Sequence, residues 1–436
     1  MSGNFRHIVR MGTHAEKEYL AKAPSLFDGL LFNANLVEAS KGATAVFATT
    51  QRSPFSIDPV TYSFALDPRY LLAASKKKGL AVKSTFAALA DAFALPKGFL
   101  GTRPLSPADL RDPILGSVVG RVIAYQRDVL ADTLSEDEAF LLGDLDARVA
   151  AALPEWTFAP YFINDYRQDW LSVNVRALEF AEEEPGPDVA GILAYDTRRA
   201  DHEYLLSTAL AYGGDHPRTM FVWASNLDEH RSDMTQLKDY AGIVRQLASQ
   251  GHRPIAAYGG FFGMLLSFRG MTGIAHGVGY GDRRDLEPVV GGGLPPATFY
   301  VRAVRDAVSV GDLTFLAADL SEGDFRHWIC DCTICDGLLS RGGVAGLIAA
   351  LTETDDHVSE KGNLVSVATP QVYQLTRFHY LLNRSEEVRW IRSSDLEEIA
   401  AELRAGQGWA SERLGNAAVG HIERWLDIVN EVPKLD

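Results

Sequence analysis

The sequence predicts an α/β protein: a (β/α)8 TIM barrel with a helical insertion and a C-terminal zinc-binding module. Three observations predict it. Eight short apolar runs rich in β-branched and aromatic residues read as buried strands. Helical patterns separate several of them, and strands that alternate with helices pair in parallel, eight being the number that closes a barrel. All three cysteines of the chain, Cys330, Cys332 and Cys335, fall within six residues near the C-terminus.

The eight runs are residues 30–35, 54–58, 160–163, 189–195, 219–224, 254–259, 273–278 and 297–301, with helical patterns at 170–184, 201–211 and 232–249. About a hundred residues without a strand signal lie between the second and third runs, with helical stretches at 112–133 and 137–153. Ser135 followed by Glu138 has the capping-box spacing for the second stretch. No Pro-, Gly- or Ser-rich linker brackets this region, so it reads as an insertion, about 75–155, on a barrel unit spanning 1–310. After residue 310 the pattern changes to a cysteine module and helices at 385–404 and 408–430, which form a second unit, 311–436. Ser394 and Glu397 are another capping pair, restarting the first of these helices at Asp395.

Lys and Arg number 42 against 57 Asp and Glu, a net charge of −15. That excludes a surface basic throughout and confines any nucleic-acid contact to a local patch. Residues 1–14 lack the apolar core of a signal peptide, and no window approaches the roughly 18 uninterrupted apolar residues of a membrane helix. The expectation is a cytoplasmic protein with no membrane segment. In a compartment that keeps thiols reduced, clustered cysteines suit a metal site better than a disulfide, and Cys330 and Cys332 would strain to bridge each other.

The segment Cys330-Asp-Cys332-Thr-Ile-Cys335 places three soft ligands within reach of one ion. Zinc takes four ligands tetrahedrally, at about 2.3 Å from each thiolate, and no cysteine remains for the fourth position. Histidine is the candidate, with His327, His357 and His379 nearby in sequence.

With these residues the sequence resembles the tRNA-guanine transglycosylase family. Its members are barrels carrying a zinc module near the C-terminus, with C-x-C-x-x-C ligands followed by a histidine on a helix. The matching segment is Arg377-Phe-His379-Tyr-Leu-Leu-Asn383, so the resemblance implies His379 as the fourth ligand of a structural Zn2+. The 44 residues between Cys335 and His379 exceed the family's spacing and imply an insertion, which keeps His357, 22 residues on, as the alternative.

In the family, an aspartate at an early strand end is followed by an aromatic residue that stacks on the exchanged base. Asp58 and Tyr62 in Phe55-Ser-Ile-Asp58-Pro-Val-Thr-Tyr62 match these two positions, although the intervening glycines do not match; Asp58 also reads as a turn aspartate before proline. Tyr258-Gly259-Gly260 resembles the Gly-Gly turn that binds the deazaguanine, and His276-Gly277-Val-Gly resembles the Met-Gly-Val-Gly segment. Such glycines also serve plain packing. The order of these motifs over about 320 residues follows the family.

The family's nucleophilic aspartate on the last barrel strand has no counterpart in residues 297–302, where Asp306 is the nearest carboxylate downstream and Glu287 the nearest upstream. Retaining displacement at a glycosidic carbon needs a nucleophile and a proton donor, usually two carboxylates. Asp165 and Asp196 both follow candidate strands, so either is a candidate second carboxylate or base-reading residue, Asp196 ending the cleaner strand. Both also read as caps or loop aspartates. The family's substrate-reading glutamine is replaced by Ser225 and Asn226.

The resemblance implies a transglycosylase-like pentosyltransferase exchanging guanine for a 7-deazaguanine base in nucleic acid. DNA is favoured over tRNA because the motifs diverge as they do in the DNA enzymes. Basic clusters at 76–78 and Arg283-Arg284, and Arg302, Arg305, Arg377 and Arg389 around the cysteine module, are candidate phosphate contacts, or a solvated charged face. The target base would be flipped out or presented in a loop. A non-catalytic paralogue that binds nucleic acid or a partner, as a homo- or hetero-dimer, is the second expectation. A zinc-stabilised nucleoside hydrolase is the third.

Overall fold

A computed structural model describes residues 5–51, 53–75, 79–134, 153–165, 169–186, 188–214, 216–279, 283–286, 296–358 and 364–434. Strands β1 (Arg6–Met11), β2 (Gly29–Asn33) and β3 (Phe55–Asp58) open the barrel, and a small antiparallel hairpin, β4 (Leu72–Ser75) and β5 (Gly79–Val82), lies outside it. The barrel continues with β6 (Trp156–Phe158), β7 (Asp188–Asp196), β8 (Thr219–Ser225), β9 (Arg253–Ala257) and β10 (Gly273–His276). The eight barrel strands are all parallel, in the order β3-β2-β1-β10-β9-β8-β7-β6. The seam between β3 and β6 is bridged by Glu155 N–H to Phe55 O at 2.6 Å and Trp156 N–H to Ser56 Oγ at 3.0 Å.

The sequence predicts the barrel correctly but mistakes one of its staves and shifts another. The first strand is β1, Arg-His-Ile-Val-Arg-Met, whose alternating charges conceal it from an apolar-run search. Side chains alternate across a strand, so Arg6, Ile8 and Arg10 share one face. Arg6 forms a bidentate pair with Glu155 at 2.8 Å, and Arg10 reaches Asp58. Residues 297–301 are not the eighth barrel strand. They form β11 (Thr298–Val301), antiparallel to β12 (Asp306–Ser309), because only Arg302 to Arg305 separate the two and a connection that short permits a hairpin but no parallel crossover. The predicted run 160–163 is the extended chain after β6, tied to β7 by a parallel bridge from Asn164 to Tyr195.

Helices Trp170–Glu183, His202–Ala211 and Met234–Ser249 follow their predicted stretches, each capped at its N-terminus by an aspartate: Asp169, Asp201 and Asp233. The inserted region contains helices Ser84–Ala92 and Ile114–Asp128. The predicted helix 137–153, its Ser135 and Glu138 pair, and the lysines at 76–78 lie outside the described residues. Near the C-terminus, one helix spans Pro370–Ser393 rather than beginning at 385. The next starts after Asp395, whose carboxylate accepts from Glu398 N–H at 2.9 Å, one position beyond the predicted pair. It ends at Leu414 before Gly415 at φ 81°, a short helix follows at Asn416–Val419, and a last one runs His421–Glu431, so the predicted 408–430 helix is three pieces.

Among the described residues one helix, Thr333–Leu351, is long and apolar enough to cross a membrane by length and composition. Asp336 and Arg341 interrupt it, and it is broken at Gly342 and Gly343, where Gly343 adopts φ 62°. Its buried residues Cys335, Leu339, Leu347 and Leu351 join Phe299, Phe325 and Ile329 in the core of the cysteine module. A second, larger core fills and surrounds the barrel and takes in Leu381, Val388 and Ile391 of the Pro370–Ser393 helix and Trp425 of the last one.

Candidate metal centre and barrel mouth

Cys330 follows helix Glu322–Trp328, Cys332 stands at the N-cap of Thr333–Leu351, and Cys335 lies in its first turn. The knuckle is fixed to the β11–β12 turn by Arg302 N–H to Ile329 O and Ala303 N–H to Trp328 O, both 3.0 Å. His379 arrives from helix Pro370–Ser393. The four ligand atoms lie within 4.8 Å of one another and all four residues are buried. His379 Nδ1 is 3.4 Å from both Cys332 Sγ and Cys335 Sγ. A tetrahedral zinc with bonds of about 2.3 Å to sulfur and about 2.05 Å to nitrogen places those atoms about 3.5 Å apart. The group is therefore spaced to bind a metal ion.

Its surroundings fit the same purpose. His379 Nε2–H donates to Tyr300 O at 2.7 Å, which fixes the tautomer that leaves Nδ1 free to ligate. Asn383 Nδ2 donates to Cys330 Sγ at 3.3 Å and to His379 O at 2.8 Å. Burial opposes ionisation of Cys330, but hydrogen bonds from the other two thiols and the adjacent imidazole hold its thiol well below the ordinary range. Burial likewise opposes a charged His379, yet the Cys330 thiolate beside it raises the imidazole to about 10. Cys335 moves the other way, its thiol pushed up by hydrogen bonds to the other two sulfurs and by burial, so one negative charge is shared among closely packed donors. His379 closes the set; His327 packs its ring against Trp328, and His357 lies on β13 (Thr354–Val358), paired with β14 (Leu364–Ala368).

The other predicted residues gather at the C-terminal ends of the barrel strands, where barrel folds carry their sites. Asp58, at the end of β3, is buried and accepts from Val60 N–H at 3.0 Å, Tyr161 Oη at 2.9 Å and Arg10 Nη2 at 3.2 Å. Three donors occupy most of a carboxylate's roughly four acceptor directions. Tyr62 lies in the 3-10 turn Thr61–Ala65, edge-on to Trp223 at 4.8 Å and tilted against Tyr161 at 5.5 Å, and burial pushes its hydroxyl up to about 12.

Asp196, at the end of β7, is saturated: it accepts from Arg198 N–H at 3.0 Å, the Arg198 guanidinium at 3.1 Å and Asn226 Nδ2 at 2.9 Å, with Arg199 at 3.4 Å. Burial opposes its ionisation, but those donors outweigh it and leave the carboxyl below its ordinary value. Arg199 also lies 3.7 Å from Asp165, so it bridges the two acids.

Gly259 is a packing glycine, since an added Cβ would stand 2.5 Å from Ala256 Cβ. Gly260 N–H donates to Glu229 Oε1 at 2.8 Å, and the same buried carboxylate accepts from Phe262 and Gly263 N–H, occupying the turn's donors. His276 faces away from the lumen with His7, their Nε2 atoms 2.7 Å apart and the His276 ring edge-on to Tyr380. Gly277 follows it at the end of β10, the true last strand, whose residues Gly273–His276 contain no carboxylate.

Two cavities open at this mouth. One of about 500 Å³ is lined by Arg10, Asn33, Asn35, Tyr258, Gly277 and Arg284 among others. Another of about 680 Å³ is lined by Tyr62, Tyr70, Phe86, Asn35, Arg283 and Arg284 among others. Asp58, Asp165 and Asp196 line neither. Two residues that do shape the site escape the sequence motifs. Arg10 sits on the strand that an apolar-run search misses, its guanidinium 3.4 Å from the Tyr258 ring centroid. Tyr258 reads in the sequence only as the flank of a Gly-Gly pair; its hydroxyl accepts from Arg284 Nη1 at 2.8 Å. Of the arginines near the cysteine module, Arg305 is buried in ion pairs with Glu387 and Glu402, so it presents no cation to solvent.

Neither a family model nor a curated protein matches this chain.

Proposed function

We propose that this chain is a transglycosylase-like barrel that exchanges guanine for a 7-deazaguanine in nucleic acid, DNA favoured over tRNA, with a structural Zn2+ held by Cys330, Cys332, Cys335 and His379. The observation that carries the reading is the juxtaposition of Asp58 and Tyr62 on one barrel mouth beside Tyr258 and Gly277, with a Cys3His group behind the last strand. In it Tyr62, backed by the buried Trp223, supplies an aromatic face for a flat base, and Asp58 supplies the carboxylate. Four protein ligands leave the metal no open position, so its contribution is to the fold. Asp58 acts only when Arg10 releases it, and Asp196 or Asp165 would have to leave Arg199 to serve as the partner acid.

That last requirement favours a second reading, a non-catalytic subunit that keeps barrel and metal. All three aspartates are held by arginines. Exchange of labelled guanine into DNA and tRNA by the purified chain decides between them. Exchange lost in Asp58→Ala supports the enzyme; retained exchange removes Asp58 from the mechanism, and no exchange with either nucleic acid leaves the binding subunit ahead.

A further inference from the structure

The chain carries 15 more acidic than basic groups, yet the mouth is locally cationic. The described residues lining the two cavities include four cations, Arg10, Lys83, Arg283 and Arg284, against two carboxylates, Glu16 and Asp285. Arg10 is matched by Asp58, and Arg283 by Asp228 and Asp285, at 2.8 and 2.9 Å. Arg284 differs. Among the described residues its half-buried guanidinium has a hydrogen bond to the Tyr258 hydroxyl and no carboxylate within ion-pair distance, Asp58 acting on it only from farther away. A half-buried guanidinium that lines both cavities and touches no carboxylate among the described residues keeps donors for an anionic ligand.

Two further facts say what shape that ligand has. Arg284 and Asn35 line both cavities, so the two meet at these residues. One chamber sets Tyr62, Leu66, Tyr70 and Phe86 beside Lys83, Arg283 and Asp285; the other sets Met11, Leu36 and Val278 beside Arg10, Asn33 and Glu16. At the junction the Asn35 side-chain oxygen is buried without a hydrogen-bond partner among the described residues. A buried acceptor left open at a cavity wall wants a donor from what fills the cavity.

We propose that the joined cavities form one nucleotide site in which Arg284 binds the phosphate, the Tyr62 chamber holds the planar base, and Asn35 Oδ1 accepts a hydrogen bond from the ligand. Arginine suits this because its planar fork matches phosphate oxygens. The inference rests on the base-exchange reading only for the choice of guanine as the base. The phosphate comes either from a free nucleotide or from a strand, and the arms of the test separate these.

The test measures binding to the full chain by calorimetry, with guanosine, GMP and a guanine-containing oligodeoxynucleotide as probes. GMP binds about 10- to 100-fold more tightly than guanosine, the size of one charged hydrogen-bonded contact. Arg284→Met abolishes that difference and leaves guanosine unchanged, Arg284→Lys restores part of it, and Asn35→Leu weakens guanosine and GMP alike. Inorganic phosphate competes with GMP and not with guanosine in the unaltered protein, a readout that needs no variant to fold. Tighter binding of the oligonucleotide than of GMP, lost in Arg284→Met, identifies a strand as the source; GMP binding without oligonucleotide binding identifies a free nucleotide. Equal affinity for guanosine and GMP, or a GMP preference that survives Arg284→Met, overturns the proposal. Arg284-dependent binding without base exchange leaves this inference standing and removes the exchange reading; exchange undiminished in Arg284→Met does the reverse.

Discussion

Replacing Asp58 by asparagine tests how the mouth is held together. The Arg10–Asp58 pair has side chains only 8% and 4% exposed, so neither charge is screened by water. The introduced amide would still accept from Val60 N–H and Tyr161 Oη, but Arg10 would lose its counter-charge and keep only the face of Tyr258. Removing one partner of a buried pair costs about 3–5 kcal/mol. Unfolding entropy of about 2.1 cal/mol/K per residue over 436 residues converts this to a fall in Tm of about 3–5 °C, the smallest shift consistent with the chain melting as one unit. Arg10→Met should cost a similar amount, by stranding Asp58. The double variant Arg10→Met/Asp58→Asn leaves no buried charge unpaired, so it should melt no lower than the worse single, a coupling of at least about 3 kcal/mol. Differential scanning calorimetry of the four proteins gives the cycle. If Asp58→Asn melts within a degree of the parent, or if the single effects simply add, the two charges are not a buried pair and the account of the mouth fails.

Three other expectations follow from single features. The purified protein should hold one zinc per chain by elemental analysis, and Asn383→Leu, which removes the donor to Cys330 Sγ, should weaken retention against a chelator about 10- to 100-fold; unchanged retention would show that Asn383 does not support the ligands. Gly259→Ala forces a methyl onto Ala256 and should destabilise by about 1–3 kcal/mol, relieved in part by Ala256→Gly, whereas a glycine kept only for ligand approach would leave Tm unchanged. Burial, with His230 and Arg424 nearby, pulls His421 down to about 3 while its ring nitrogen bonds Val304 O. Its unfolded value is about 6.5, so its contribution is complete above pH 6.5 and is lost as pH falls from there toward 3, by up to about 1.4 kcal/mol per pH unit. His421→Gln should therefore flatten the Tm profile between about pH 6.5 and 4, and a profile as steep as the parent's would show that other groups set the slope.

What could be read in the sequence was whatever depended on local pattern. Strands β2, β3 and β7 to β10 announce themselves as apolar runs because a parallel strand is covered on both faces. The first strand, β1, could not, since Arg6 and Arg10 are compensated by Glu155 and Asp58, residues 149 and 48 positions away. Residues 297–301 look like any barrel strand; what excludes them is the short link to β12, a constraint that an apolar run does not display. The metal group was legible because three ligands lie in one knuckle, and His379 came from the family pattern rather than from spacing. The acids were legible as strand-end residues, but not their engagement, because hydrogen-bond partners such as Tyr161 and Arg199 come from other strand ends. Arg284 appeared in the sequence only as half of a basic pair, and its place on the walls of both cavities is a property of the packed mouth.

Helix Pro370–Ser393 joins the metal centre to that mouth, and this changes what a structural metal means here. One side of the helix brings His379 to the cysteines. Its neighbour Tyr380 meets His276 at the end of β10, and Arg377 stands over the Tyr19 ring with its Cγ 3.4 Å from where a Gly279 Cβ would be. Further along, Arg392 binds Phe5 O and Asp28 beside β1. The helix therefore lies along the outer wall of β1 and β10, the two strands whose ends supply Arg10, Gly277 and Val278 to the 500 Å³ cavity. Ligand distances of 3.4 Å leave little freedom to slide this helix once a metal is bound. A metal held there with no open coordination position would thus still bear on the mouth, by fixing the helix against which these two strands are packed.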